Sequence, residues 1–133
     1  MWIIPRSIIN KMFSHAQRSL PRECVGLLSG SGQTVSHWHP LVNIAEGEHT
    51  FLAEPAGQIA AFRTIREEGR QLLAIYHSHP HASTNPSSRD LAELYYPDAL
   101  QVIIAMNTEG RMEMACFLLE GDRLIHPELH ICE

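Results

Sequence analysis

A mixed α/β fold, one β-sheet packed by about three helices, is predicted by three observations. The chain has 133 residues, a length that suits one domain, here residues 1–133. Its apolar residues alternate along the chain between continuous strand-length runs and the three- and four-residue spacing of amphipathic helices. The elements follow the order β-α-β-β-α-β-α-β-β-β, which mixes hairpins with crossovers and calls for a mixed sheet covered by helices.

Trp2 to Ile4 reads as a short strand. Ile8, Ile9, Met12, Phe13, Ala16 and Leu20 then recur at helical spacing, and Pro21 ends that helix. Val25, Leu27 and Leu28 form a buried strand, Gly30-Ser31-Gly32-Gln33 a hairpin turn, and Thr34 to Ile44 the return strand. Residues 45–54 are polar and irregular. Pro55 suits the first turn of a second helix, which carries Ile59, Ala60, Phe62 and Ile65 toward a core and stops at Gly69. Leu72 to Tyr76 is short and apolar enough for a central strand. A loop rich in Ser, Asn and Pro leads from it to a third helix, expected over about Ser88 to Tyr96. Strands over Leu100 to Met106, Arg111 to Leu119 and Arg123 to Ile125 complete the chain, joined by turns at 107–110 and 121–122.

Composition narrows the function classes. With 44% hydrophobic residues the chain is not disordered. A net charge of −5 without a basic run argues against nucleic acid as a partner. No apolar run approaches membrane-spanning length, and MWIIPRSIIN has no basic region ahead of its apolar residues, so it does not read as a signal peptide. The three cysteines, Cys24, Cys116 and Cys132, are far apart and form no CxxC pair. They fit a reducing, cytoplasmic setting in which thiols pack as small hydrophobes. The unusual feature is nine histidines against ten Lys and Arg.

Spacing sorts those histidines. In Ile75-Tyr76-His77-Ser78-His79-Pro80, alternate residues of an extended chain face one side, so His77 and His79 project together while Ser78 points away. Pro80 belongs where a strand ends. Asp90 falls in the first turn of the third helix, after a loop long enough to fold back. Two imidazoles and one carboxylate form a three-ligand set whose fourth tetrahedral position is left for water, the composition of a catalytic zinc. Each half also has an ordinary explanation. HxH pairs are common on strands, and Ser87-Ser88-Arg89-Asp90 fits an N-capping S-x-x-D pattern. An internal control is His37-Trp38-His39-Pro40. It has the same HxHP form, but Gly47 and Thr50 stand where Ser87 and Asp90 stand in the other, so it reads as a coincidental pair.

The string His77-Ser78-His79-Pro80, six residues, Ser87, two residues, Asp90 resembles the JAMM motif of MPN-domain zinc metalloproteases. Glu23-Cys24-Val25-Gly26-Leu27-Leu28 is similar to the E-x-x-G-h-L segment that precedes it in that family. The resemblance implies an MPN fold, related to the cytidine-deaminase-like architecture. It implies one zinc ion held by His77, His79 and Asp90, with water in the fourth place. Glu23 would accept a proton from that water and return it to the leaving amine, and Ser87 would donate a hydrogen bond to the developing oxyanion. Zinc lowers the pKa of bound water from about 15.7 to about 7, and an oxyanion donor supplies roughly 3 kcal/mol of transition-state stabilisation. Cys24 has no base paired with it and reads as a core residue.

The short chain is most similar to the bacterial stand-alone branch of the family. The resemblance implies hydrolysis of a peptide or isopeptide bond at the C-terminal Gly-Gly tail of a ubiquitin-like sulfur-carrier protein. Two readings from other classes stand beside it. A mononuclear Fe(II) oxygenase also uses two histidines and a carboxylate, although such sites usually sit on all-β barrels. A non-catalytic MPN binding module would keep the fold and lose the chemistry. A zinc deaminase is disfavoured because the P-C-x-x-C ligand pair is absent.

Overall fold

A computed structural model describes residues 1–81, 83–87, 90, 96–106 and 110–133. Among them are eight strands and two helices, in the order β1 (Trp2–Pro5), α1 (Arg6–Ser19), β2 (Val25–Ser31), β3 (Thr34–Leu41), α2 (Pro55–Glu67), β4 (Gln71–His79), β5 (Leu100–Met106), β6 (Met112–Glu120), β7 (Arg123–Ile125) and β8 (Leu129–Cys132). The strands form one mixed sheet ordered β7-β6-β5-β4-β2-β3-β1-β8. Pairs β2/β3, β2/β4, β5/β6 and β6/β7 are antiparallel, while β1/β3, β1/β8 and β4/β5 are parallel. The third expected helix, over Ser88 to Tyr96, lies outside the described residues except for Asp90 and Tyr96.

The two helices cover different faces, and the side-chain period of two in β4 explains how. Ala74 and Tyr76 join Ile8, Ile9, Met12 and Ala16 of α1 in one core. Ile75 instead packs with Val25, Leu27 and Leu41 under Ala61 and Ile65 of α2. Pro55 opens α2 at its first turn, and Gly69 follows its end at φ 69°, a left-handed position that glycine takes without a Cβ clash. Neither helix is long and apolar enough to cross a membrane.

Several boundaries, and one whole strand, differ from the sequence expectation. The return strand stops at Leu41 rather than Ile44, because the Asn43 side chain takes the chain out of the ladder: its Oδ1 accepts the amides of Ala45 and Leu52, both at 2.9 Å. The hairpin turn is tighter than expected, since β2 continues through Ser31. β4 runs on from Tyr76 to His79, because β5 pairs with it in parallel as far as His79↔Ala105. Strand β8 was not expected. It is four residues long and gains its stability from β1, in register from Trp2↔Leu129 to Pro5↔Cys132.

One contact couples the two motif segments. Gly26 pairs with Tyr76 across β2 and β4, and the Tyr76 ring lies over the glycine so closely that a Cβ there would stand 2.3 Å from its hydroxyl. That hydroxyl accepts the Trp38 Nε1–H at 2.8 Å and bonds His15 Nδ1 at 2.7 Å, so the fully buried ring cannot swing away freely. Gly26→Ala should therefore lower stability by about 1–3 kcal/mol through overpacking, seen as a lower urea midpoint at unchanged m-value.

Candidate metal centre

The C-terminal end of β4 brings His77 and His79 to the same side. Their Nε2 atoms are 3.0 Å apart, and both residues are buried. Asp90 bridges them, with Oδ1 3.2 Å from His77 Nε2 and Oδ2 2.9 Å from His79 Nε2. Glu23 enters from the segment before β2, and one donor atom each from Glu23, His77 and His79 lie within 4.8 Å of one another. Glu23 is only 5% exposed, so it is not the solvated strand end that its sequence position would otherwise suggest.

Hydrogen bonds outside this cluster hold it in shape. His79 Nδ1 lies 2.7 Å from the Ser83 carbonyl, which can only accept, so Nδ1 carries the proton and Nε2 presents its lone pair. Ser78 points to the opposite face, as alternation requires, and its Oγ accepts the Cys24 amide at 2.8 Å while its own amide donates to the Cys24 carbonyl at 3.1 Å. The residue between the two histidines thereby fixes the residue beside Glu23. Asn43 Nδ2 adds a bond to the Glu23 carbonyl at 2.9 Å. Ser87 and Asp90 form a reciprocal pair: the Ser87 amide donates to Asp90 Oδ2 at 2.8 Å, and Ser87 Oγ accepts the Asp90 amide at 3.1 Å. This is the capping pattern. The hydroxyl proton of Ser87 remains available as a donor, since that bond uses only a lone pair.

The electrostatics suit cation binding. Burial is the largest influence on His77 and pulls its pKa down, outweighing Asp90. Burial acts the same way on His79, but hydrogen bonds to Asp90 and Ser83 and the nearby carboxylate charges outweigh it and raise the pKa. Burial opposes ionisation of Asp90, yet the two histidines and the Ser87 amide hold its carboxyl well below the usual range. The cluster thus offers two nitrogens and an ionised carboxylate converging on one point, the donor chemistry of a divalent transition-metal site. Cys24 is different: burial pushes its thiol up to about 11, consistent with a core residue.

Sequence reasoning places Glu23, His77, His79 and Asp90 together, and the structure does the same. The HxHP pair in β3 is not drawn in. His39 Nε2 bonds Ser29 Oγ at 2.8 Å and His37 Nδ1 bonds Ser36 Oγ at 2.8 Å. Ser78 and Asn43 were not found from sequence. Nothing local marks them, since their partners lie 54 and 20 residues away. Ser78→Ala would leave the buried Cys24 amide without its acceptor, so a loss of about 1–3 kcal/mol is expected. Metal stoichiometry should be unchanged, which separates this residue from a ligand.

A cavity of about 480 Å³ opens beside the cluster, with His77 and Asp90 in its wall. It runs over the α2 face of the sheet past Val25, Leu27, Leu41 and Ile75. Phe51 closes part of it, its ring 4.7 Å from the His77 ring and tilted by 30°.

Known proteins agree with this architecture. The model of the prokaryotic homologs of the JAB domain matches residues 5–117. A probable TtuB-protein conjugate cleaving protease of Thermus thermophilus is 38% identical over 91 residues, which cover 68% of this chain and 61% of that protein. A CysO-cysteine peptidase of Mycobacterium tuberculosis is 26% identical over 98% of this chain and 91% of that protein. Among solved structures, a Desulfitobacterium hafniense protein superposes with a TM-score of 0.88 at 28% identity, covering 100% of this chain and 94% of its own. A JAB1/MPN domain protein of Archaeoglobus fulgidus shares the fold, with a TM-score of 0.63 at 22% identity over the full length of both chains. With most of its length matched by the family model and this fold beneath it, the chain belongs to the prokaryotic JAB-domain family.

Proposed function

We propose that the protein is a zinc-dependent peptidase or isopeptidase that hydrolyses the bond following the C-terminal Gly-Gly tail of a ubiquitin-like sulfur-carrier protein. The observation that carries the reading is the Asp90 carboxylate reaching both His77 and His79 Nε2 atoms, at 3.2 and 2.9 Å, with Glu23 beside them. The named activities of the Thermus and Mycobacterium relatives, on TtuB conjugates and on CysO-cysteine, support the substrate class. The match to the first spans 61% of that protein.

In this reading His77, His79 and Asp90 hold the ion. Zinc bound there would supply Lewis acidity and would lower the pKa of water toward neutrality. Glu23 accepts a proton from the attacking water and delivers it to the departing nitrogen as the C–N bond breaks. Burial keeps Glu23 from exchanging that proton with bulk solvent. The Ser87 hydroxyl donates to the carbonyl oxygen as it gains charge. The Ser78 and Asn43 bonds keep the segment carrying Glu23 against β4, so that base and ligands move as one unit. The three cysteines are all free, which fits a cytoplasmic home, and residues 1–133 serve as one catalytic domain.

The test is incubation of the zinc-loaded protein with carriers ending in Gly-Gly plus further residues, read by intact mass. Loss of the mass beyond Gly-Gly is expected. Carriers left whole under conditions where the protein holds one zinc would overturn the reading. Iron at full stoichiometry with oxygen-dependent turnover would move it to an Fe(II) oxygenase.

A further inference from the structure

We propose that Phe51 is a positioning residue for the metal centre, whose flat ring sets the orientation of the His77 imidazole. The inference rests on the metal-dependent reading above and deepens it by naming what aims one of the ligands. The torsion that turns an imidazole about its Cβ–Cγ bond is broad and roughly two-fold. A histidine's own rotamer preference therefore does not aim Nε2, and a neighbour must. His79 is aimed by a hydrogen bond, from Nδ1 to the Ser83 carbonyl at 2.7 Å. His77 is gripped by rings instead. Phe51 lies against it with centroids 4.7 Å apart and planes tilted by 30°, and the His79 ring meets it at 4.8 Å and 63°. Rotation of the imidazole breaks the near-parallel stack and presses its edge against the phenyl face.

The chemistry of the pair favours the metal-bound state. An ion at Nε2 draws electron density out of the imidazole, and the negative face of a phenyl ring attracts an electron-poor neighbour. An aliphatic side chain of similar volume would fill the space without that attraction, and without a flat surface to set the plane of the ring.

Phe51 is itself held by the residue that holds the proposed base. Asn43 Nδ2 donates to the carbonyls of Glu23 at 2.9 Å and Thr50 at 3.3 Å, and its Oδ1 accepts the Leu52 amide at 2.9 Å. Both chain neighbours of Phe51 and the backbone of Glu23 thus share one side-chain anchor. Asn43 and Ala53 form an antiparallel bridge, flanked by bonds from the Ile44 amide to the Leu52 carbonyl and from the Glu54 amide to the Val42 carbonyl, both at 2.8 Å. Alternation along this ribbon turns Phe51 and Ala53 inward, onto the Val25, Leu27 and Leu41 cluster, and leaves Leu52 outward and 57% exposed. The ribbon therefore delivers one aromatic ring to one ligand.

The test measures zinc affinity of the metal-stripped protein by competition with a chromophoric chelator. Phe51→Leu, which keeps apolar bulk and removes the flat ring, should weaken zinc binding about 10–100-fold, the usual effect of groups that orient a ligand. Phe51→Tyr keeps the ring and should retain the affinity. Leu52→Ala alters the same ribbon away from His77 and should also retain it. Cobalt(II) put in place of zinc reports ligand geometry in its visible spectrum, which should change in Phe51→Leu and not in the other two. Phe51→Met serves in place of Phe51→Leu if the latter does not fold. Undiminished zinc affinity in Phe51→Leu, or an equal loss in Phe51→Tyr or Leu52→Ala, would overturn the positioning role. Carriers left whole by a protein whose zinc affinity follows this pattern would refute the hydrolase reading and leave Phe51 its role. Carriers cut while Phe51→Leu binds zinc undiminished would do the reverse. Zinc affinity that His77→Ala leaves unchanged would overturn both, since His77 would then hold no metal.

Discussion

Glu23→Gln should reduce kcat by about 10²–10⁴-fold while the protein still binds one metal ion per chain. The substitution keeps the size of the side chain and removes only its ability to take up and return a proton. In the proposed mechanism the charge of Glu23 is used twice, once to deprotonate the attacking water and once to protonate the departing nitrogen. Both uses vanish together, so KM should change little and the loss should fall on kcat. Mass spectrometry of the carrier gives the rate, and elemental analysis of the same sample gives the metal. A variant that kept its rate would remove Glu23 from the chemistry. One that lost its metal as well would make Glu23 a ligand in place of Asp90, an alternative the site admits, since a Glu23 oxygen approaches both histidines within 4.8 Å.

His79→Ala should have the second large effect, on metal binding itself. Changes to groups that merely orient a ligand cost about 10–100-fold in metal affinity, so removal of a ligand should cost more. His79 also donates through Nδ1 to the Ser83 carbonyl and meets Asp90 through Nε2, so its loss frees both neighbours. The β4 ladder to β2 and β5 does not depend on the side chain, and the fold should persist. The difference is readable without an activity assay. Zinc at 100 times its Kd should stabilise the unaltered protein by about 2.7 kcal/mol, and that shift should disappear in His79→Ala. An equal zinc-dependent shift in both proteins would place the metal elsewhere.

The parts of the site that were legible in the sequence are those governed by local geometry. Two residues apart on an extended chain is enough to put His77 and His79 on one face, and S-x-x-D is enough to tie Ser87 to Asp90. Glu23 was legible only through the E-x-x-G setting. The structure supplies a physical reason for that glycine, because the Tyr76 ring occupies the space its Cβ would need. What remained hidden depends on pairing across the sheet. Ser78 reaches Cys24 only because β4 lies beside β2, and Asn43 reaches Glu23 only because the chain leaves β3 at Leu41. The cavity is hidden for the same reason, since Val25, Ile75 and Phe117 meet only after β2, β4 and β6 have assembled. The last strand was missed because Leu129 to Cys132 is too short to carry a pattern and depends on β1 for its place.

The most direct measurement is a zinc titration of the metal-stripped protein with carrier hydrolysis followed in the same samples. Hydrolysis absent at zero metal, rising in proportion to bound zinc and saturating at one equivalent per chain is the expected result, with no recovery in His79→Ala. Hydrolysis that persists in the stripped protein, or that His79→Ala retains, would contradict a metal-dependent hydrolase built on Glu23, His77, His79 and Asp90.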